Sequence, residues 1–262
     1  MVNLSWWMRE HLLPSLWTNR SLSREVKVPA QTVSFSITVR ELSIFADESG
    51  TEADTSGYYL LTLVQHDQSE DVTGPISDYE SALRIRGLTD IPMHSSPLLR
   101  GNEDYENLDV ALRLKYLFAF NAFALRLPIH YRSFVFERKT APGLEALQTV
   151  LPEALRSFVR SNLEWLLGFD QVKIYYDGGQ PTVEMALREV FTQALARQVS
   201  VFKPGGFREY RLAQVADYFC TIELTRLKFQ TKSATHTDLL FFQSKRDFQR
   251  KYLNRVRKKW IG

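Results

Sequence analysis

The chain has 262 residues, 44% hydrophobic and 24% charged, which predicts one large globular domain with a buried core and excludes global disorder. Its one cysteine, Cys220, excludes an intrachain disulfide and a cysteine-rich zinc site, and fits a reducing compartment. No apolar stretch approaches the roughly 20 residues of a membrane span and no secretory signal opens the chain, so we expect a soluble cytoplasmic protein without membrane contacts.

Charge is distributed unevenly along the chain. Residues 245–262 contain eight basic residues and one acid, so this segment carries +7 and residues 1–244 carry −4, for a net charge of +3. A basic end on an acidic body is typical of proteins that hold an anionic polymer, although a solvated helix face is the ordinary alternative. The predicted nucleic-acid contacts are Lys245, Arg246, Arg250, Lys251, Arg255 and Lys258, with Phe248, Tyr252 and Trp260 available to stack unpaired bases.

Hydrophobic periodicity and turn residues predict the elements in chain order. Within an N-terminal extension of residues 1–40, we expect a short helix ending near Pro14 and a strand near 32–38. In a single domain at 41–262, strands are predicted at 42–47, 58–64, 129–136, 171–177 and 199–202. Helices are predicted at 77–86 (capped by Ser77), 104–127, 143–167 (bent at Pro152), 181–197, 210–228 and 245–259.

This order predicts an α/β fold with a mixed five-stranded sheet flanked by helices. The first strands follow one another, helical insertions come after the second strand, and helix and strand then alternate. Later strands are therefore expected to run parallel and to be covered by helices, with a basic helix at the C-terminus.

Three aspartates stand in apolar surroundings. Asp47 ends the run 42–46, Asp177 ends the run 174–176, and Asp217 is the only charged residue in the helical stretch 212–222. Carboxylates beside a core lose hydration unless a partner compensates, and no Lys or Arg is adjacent to any of the three. Because ligands usually bind beyond the carboxyl ends of strands, we expect the three to converge on Mg²⁺ or Mn²⁺. The alternatives are turn or cap roles for Asp47 and Asp177, and a buried hydrogen bond for Asp217.

Two motifs resemble a known family. FADESG at 45–50 is similar to the Asp-Glu-Ser-Gly signature of the family called domain of unknown function 3800, and LAQVADYF at 212–219 is similar to its late helix. The ending at 239–260 also resembles some members, so the resemblance spans residues 41–260. It implies a ribonuclease H-like fold and a metal-dependent nuclease, a class that includes members in bacterial and phage defence settings.

The resemblance also assigns residues. Asp47 and Glu48 match the first acidic position, Asp177 the acid of the fourth strand, and Asp217 the acid of the late helix. His94 resembles a histidine between the second and third strands, with a surface-loop histidine as the alternative.

The chain departs from the family pattern in three places. Arg208-Glu209 stands where many members have Asp-Ser, and Ala213 separates Leu212 from Gln214. Members begin just before the first strand, so we expect Val39 as a natural start, with residues 1–38 outside the native protein.

The leading hypothesis is a nuclease that uses two Mg²⁺ or Mn²⁺ ions held by Asp47, Asp177 and Asp217. Glu48 would serve as a ligand or orient water, and His94 would move a proton. A binding protein with a vestigial acidic site, and a hydrolase of small phosphoesters that does not need the basic end, remain alternatives. There is no GxGxxG or Walker loop, so no nucleotide-cofactor enzyme is predicted.

Overall fold

The structure, a computed structural model, describes residues 22–28, 31–37, 39–50, 57–139, 143–177, 179–197, 199–202 and 210–262. The chain divides into two compact units, Met1–Val39 and Arg40–Gly262. In the first unit, β1 (Leu22–Val28) pairs antiparallel with β2 (Gln31–Ile37). The strand predicted near 32–38 is therefore confirmed, and its partner β1 was not predicted. The helix predicted to end near Pro14 lies outside the described residues.

The second unit is built on a five-stranded sheet with its first strand at the centre. The strand order is β5-β4-β3-β6-β7. Strand β4 runs antiparallel to β3 and β5, whereas β3, β6 and β7 run parallel. The predicted α/β class with a mixed five-stranded sheet flanked by helices is confirmed. The strands are β3 (Glu41–Ser49), β4 (Tyr58–Asp67), β5 (His130–Glu137), β6 (Gln171–Tyr176) and β7 (Ser200–Phe202).

Helices cover both faces of this sheet, and three of them form the predicted insertion between β4 and β5. The helices are α1 (Thr73–Ile85), α2 (Ser95–Arg100), α3 (Val110–Arg126), α4 (Gly143–Ser161), α5 (Leu163–Leu167), α6 (Pro181–Leu195), α7 (Arg211–Gln230) and α8 (His236–Phe242). A C-terminal helical segment follows, made of α9 (Lys245–Phe248), a π-helical turn (Gln249–Leu253), α10 (Asn254–Val256) and a 3-10 turn (Arg257–Lys259). No helix in the described part of the chain is long and apolar enough to cross a membrane.

Capping residues explain where two helices begin. The helix predicted from Ser77 begins at Thr73, because the carboxylate of Asp71 accepts the N–H of Thr73 and gives the backbone a local start. The capping role predicted for Ser77 is therefore wrong. The helix predicted from residue 104 begins at Val110, because Asp109 accepts the N–H of Leu112 as an N-cap.

The long helix predicted at 143–167 is interrupted at Asn162 and not at Pro152. Pro152 lies inside α4. At the break, the side-chain amide of Asn162 donates to the carbonyl of Phe158 at 2.8 Å, satisfying an acceptor at the end of the helix. The short helix α5 follows and leads into β6.

Two hydrophobic layers sandwich β3, which explains its nearly continuous apolar sequence. Leu42, Ile44 and Ala46 lie in the layer that α4 and α6 complete. Phe45 points to the other face and packs in the layer that contains α7. The strand therefore places successive side chains in two separate environments.

The C-terminal segment is part of the core. Phe248 and Tyr252 are each only 1% exposed. Beyond the 3-10 turn, the N–H of Ile261 donates to the carbonyl of Tyr131 in β5 at 3.0 Å. The prediction that Phe248 and Tyr252 stack unpaired bases is therefore wrong, because Phe248 packs on Phe229 of α7 and both rings pack on Phe242 of α8.

Candidate acidic site

Asp47 lies inside a strand and not at its end. Strand β3 was predicted to end at Asp47 but continues to Ser49, because β4 pairs with it along this length. Asp47 is partly buried and stands opposite Thr62, whose hydroxyl is 2.7 Å from that of Ser133 on β5. A row of polar side chains therefore crosses three strands under α7.

Asp217 lies in the middle of α7 and is 7% exposed. Its Oδ2 accepts the backbone N–H of Ser95 at 2.5 Å, and one helical turn earlier the amide oxygen of Gln214 accepts the N–H of Met93 at 3.1 Å. These bonds hold the start of α2 against α7. The buried hydrogen bond that was the alternative role for Asp217 is present, and it leaves the second carboxylate oxygen for other contacts.

Burial and neighbouring charges shift the ionisation of Asp47. Burial raises its pKa well above the ordinary value, and the negative charges of Asp217, Asp177 and Glu48 raise it further. Among the described residues, none of the charges that act most strongly on Asp47 is positive. An ionised Asp47 is therefore poorly compensated in the protein alone.

Burial also raises the pKa of Asp217, but neighbouring groups partly offset this rise. Burial raises its pKa, while the charge of His94 and the hydrogen bonds from Ser95 lower it. His94 is half-exposed, and its Nδ1 lies 3.5 Å from a carboxylate oxygen of Glu103. The fold thus brings His94 within electrostatic range of Asp217, although neither Glu103 nor Ser95 was predicted to take part.

Asp177 directly follows the last residue of β6 and is exposed. Its negative charge raises the pKa of Asp47, Asp217 and Glu48. The three predicted aspartates therefore come from β3, the end of β6 and α7, and lie within range of one another's charges.

Glu48 faces away from this group. Its Oε2 accepts hydrogen bonds from the hydroxyls of Tyr59 at 2.5 Å and Tyr176 at 3.1 Å, and both rings belong to the α4–α6 layer. Burial raises the pKa of Glu48, and the two tyrosine hydroxyls lower it. Because side chains alternate along a strand, Glu48 and Asp47 point to opposite faces of the sheet.

A metal ion fits this site by charge and by donor type. Carboxylate oxygens suit Mg²⁺ and Mn²⁺, and a cation would compensate the charges of Asp47, Asp177 and Asp217. Within the described ranges, however, no three His, Cys, Asp or Glu side chains lie close enough together to hold one ion. The side-chain positions do not by themselves form a three-ligand cage.

Sequence reasoning missed the tyrosines that hold Glu48. Tyr176 is the last residue of β6, and its hydroxyl also accepts the N–H of Gln180 at 2.7 Å. Strict alternation along β3, continued to Ser49, would have placed Glu48 with Tyr59 and Tyr176. No local signal predicts the contact between Ser95 and Asp217, which are 122 positions apart.

The predicted nucleic-acid contacts lie on the C-terminal segment. Lys251 is partly buried, and its Nζ donates to Gln243 at 2.7 Å and lies 3.4 Å from Asp247. The other five side chains are exposed: Lys245, Arg246, Arg250, Arg255 and Lys258. Five positive side chains are thus available to solvent, and Lys251 is tied to its own segment.

No family model matches the chain, and no curated protein matches it. Among solved structures, the chain is similar to one from the complex of PCNA with RNase HII from Archaeoglobus fulgidus. The two share 13% sequence identity and superpose with a TM-score of 0.39, over 81% of this chain and 87% of that one.

Proposed function

We propose that this protein is a metal-dependent nuclease that hydrolyses nucleic-acid phosphodiesters at the acidic site, and that it belongs to the domain of unknown function 3800 family. One observation carries the proposal. Asp47, Asp177 and Asp217 come from three separate parts of the fold. The charges of Asp177 and Asp217 raise the pKa of Asp47, and among the described residues none of the charges that act most strongly on it is positive. Such an arrangement is costly in the protein alone and is relieved by a divalent cation.

Mg²⁺ or Mn²⁺, when bound, would activate a water and neutralise charge on the phosphodiester. Asp47, Asp177 and Asp217 would hold it. The Ser95 N–H holds one oxygen of Asp217 in place, so the other oxygen would be the one that binds the ion. His94 is half-exposed, so it could reach the substrate and would be the group that moves a proton.

The exposed basic side chains of the C-terminal segment would bind the phosphate backbone of the substrate. Lys245, Arg246 and Arg250 are exposed on one short helical stretch. Contacts of this kind add affinity without base specificity and weaken as salt is raised.

The test is a cleavage assay with labelled single- and double-stranded DNA and RNA, in Mg²⁺, in Mn²⁺ and in EDTA. Asp47→Asn and Asp217→Asn are the site variants. Asp78→Asn is the matched control, because Asp78 is an exposed acid of α1 paired with Arg126 and is not among the charges that shift the pKa of Asp47. We expect cleavage that needs metal, persists in Asp78→Asn and is lost in both site variants. Cleavage that survives in both site variants would contradict the proposal.

A binding protein without catalysis is the second candidate. The lack of a three-ligand cluster among the described residues favours it. It predicts nucleic-acid binding that is unchanged by EDTA, no turnover under any condition, and no heat of Mg²⁺ or Mn²⁺ binding by calorimetry.

A further inference from the structure

A cavity of about 390 Å³ lies at the other end of the sheet from Asp47. Gln65 and Asp67 of β4 line it, and they pair with Ile44 and Leu42 near the start of β3. Asp47 pairs with Thr62, nearer the other end of β4. The cavity therefore belongs to the second compact unit but not to the acidic site.

Gln65 forms an unusual floor for this cavity. The residue is 1% exposed, and neither its amide oxygen nor its amide nitrogen has a hydrogen-bond partner among the described residues. A buried amide that lacks partners costs stability, and an apolar side chain would avoid the cost. The position therefore suits a ligand that presents a donor beside an acceptor. A glutamine amide makes such a paired contact with the N6 and N7 atoms of adenine.

Aromatic rings stand beside Gln65. His130 is its direct cross-strand partner on β5, and Trp165 of α5 lies edge-on to His130 with ring centroids 6.4 Å apart. Phe169 supports Trp165 from another side at 5.2 Å. Trp165 is only half-buried, so part of its indole remains available, and an indole face stacks on a nucleobase.

Charged groups lie around the cavity. Lys258 is exposed, and Lys259 is partly buried. Asp67 is already paired, because Arg40 donates to it at 2.9 Å. Glu70, also exposed, is the other acid of the lining. Because Lys258 is exposed, it can approach a phosphate, while the negative charge of Asp67 is balanced by Arg40.

We propose that this cavity binds an adenine nucleotide, with the base between Gln65 and Trp165 and the phosphate at Lys258. The volume is in the range of pockets that hold small ligands, about 300–1,000 Å³. Side chains alone would read the base, which agrees with the lack of a glycine-rich phosphate loop in the sequence. The ligand is a free nucleotide or an adenylate within a strand, and the site does not depend on the proposed nuclease activity.

The experiment is calorimetric titration of the full chain with AMP, adenosine, UMP and a short oligoadenylate. Gln65→Leu removes the amide at similar volume and is expected to weaken AMP binding about tenfold or more. The same variant should unfold at the same or a higher temperature, because an unpaired buried amide is lost. Lys258→Ala should weaken AMP binding but leave adenosine binding unchanged.

Two control variants test whether AMP binds at this cavity and not elsewhere on the chain. Gln249→Leu removes an exposed amide of the C-terminal segment and should bind AMP like the unmodified chain. Asp47→Asn should also keep AMP binding. A wrong proposal for the cavity is thereby distinguished from a wrong proposal for the acidic site. Tighter binding of AMP or of the oligoadenylate identifies the source of the ligand. No binding of either, UMP binding as tight as that of AMP, or unchanged AMP affinity in Gln65→Leu would overturn the proposal.

Discussion

Asp47 and Glu48 are consecutive residues of β3, yet their carboxylates lie on opposite faces of the sheet. Asp47 faces α7 and the charge of Asp217, and Glu48 is held by the hydroxyls of Tyr59 and Tyr176. The family motif treats Asp47 and Glu48 as one acidic position. In the structure they are two positions with different surroundings.

Glu48→Gln and Asp47→Asn should consequently behave differently. Glutamine at position 48 can still accept the tyrosine hydrogen bonds, so we expect metal-dependent cleavage and the metal-induced rise in Tm to stay close to those of the unmodified chain. Asn at position 47 should lower the cleavage rate about 100-fold or more, because a charged metal ligand contributes several kcal/mol. Equal losses in both variants, measured by cleavage kinetics and thermal melts, would show that the two faces are not functionally separate.

The raised pKa of Asp47 makes a prediction about stability without metal. A folded-state pKa above the unfolded value means that ionisation of Asp47 costs stability as pH rises above the ordinary Asp range. In EDTA, Asp47→Asn should therefore be more stable than the unmodified chain at neutral pH, by about 0.5–3 kcal/mol. The difference should vanish near pH 4, about the ordinary Asp pKa, and below it.

Urea denaturation across a pH series measures this difference directly. Asp78→Asn serves again as the exposed control and should show no such pH-dependent gain. A less stable Asp47→Asn protein at neutral pH would mean that the charge of Asp47 is compensated in the folded chain.

Gly179 is predicted to tolerate no side chain. A Cβ at this position would lie 2.6 Å from Oε1 of Glu48. Moving the carboxylate aside would disturb the bonds that its other oxygen, Oε2, accepts from Tyr59 and Tyr176. Gly179→Ala should destabilise the fold by about 1–3 kcal/mol. Gly74→Ala is the control: its nearest neighbour would be 3.7 Å away, and alanine in a helix is favoured over glycine by up to about 1 kcal/mol.

A double variant identifies the cause of the Gly179→Ala effect. Combining it with Glu48→Ala removes Oε1 of Glu48, the atom that the new Cβ would contact. The loss in free energy of unfolding caused by alanine at position 179 should then be smaller. Strictly additive free energies of unfolding would place the strain elsewhere.

The basic C-terminal segment should separate into a binding surface and a packing surface. The triple variant Lys245→Ala, Arg246→Ala, Arg250→Ala removes exposed charges and should leave thermal stability nearly unchanged. It should reduce the slope of log affinity against log salt for nucleic acid by about three, one for each phosphate contact. An unchanged slope would remove these side chains from the nucleic-acid surface.

Phe248→Ala tests the packing surface. The ring is 1% exposed, so its loss should cost about 3–5 kcal/mol of stability. Deletion of the whole segment would unfold the domain and cannot report on substrate size. The triple charge variant can report on substrate size. If it hydrolyses a small phosphoester at an unchanged rate, a hydrolase of small phosphoesters is favoured over a nuclease.

The sheet was predicted well because each strand is marked by its own local sequence pattern. Continuous apolar runs bounded by turn residues located all five strands of the main sheet, and their order with the helices indicated a mixed sheet. The short helices α2 and α8 have 6 and 7 residues, too few for a helical period to be visible, and were not predicted.

The candidate site was only partly predictable. Apolar flanks identified Asp47 and Asp217 as unusual carboxylates, and both have raised pKa values. The residues that surround them depend on contacts distant in sequence, such as Ser95 with Asp217. The amide of Gln65, which lacks a partner among the described residues, is likewise not predictable from the sequence, where Gln65 is one polar residue at the end of a strand.

The central position of β3 has a consequence for biosynthesis. One of its neighbours, β4, follows immediately along the chain, whereas the other, β6, is made only after five helices and a further strand. During translation β3 is therefore a temporary sheet edge with an apolar sequence, open to pairing with another nascent chain. Ribosome-bound intermediates that end before residue 171 should accordingly be the stage at which this protein most needs a chaperone.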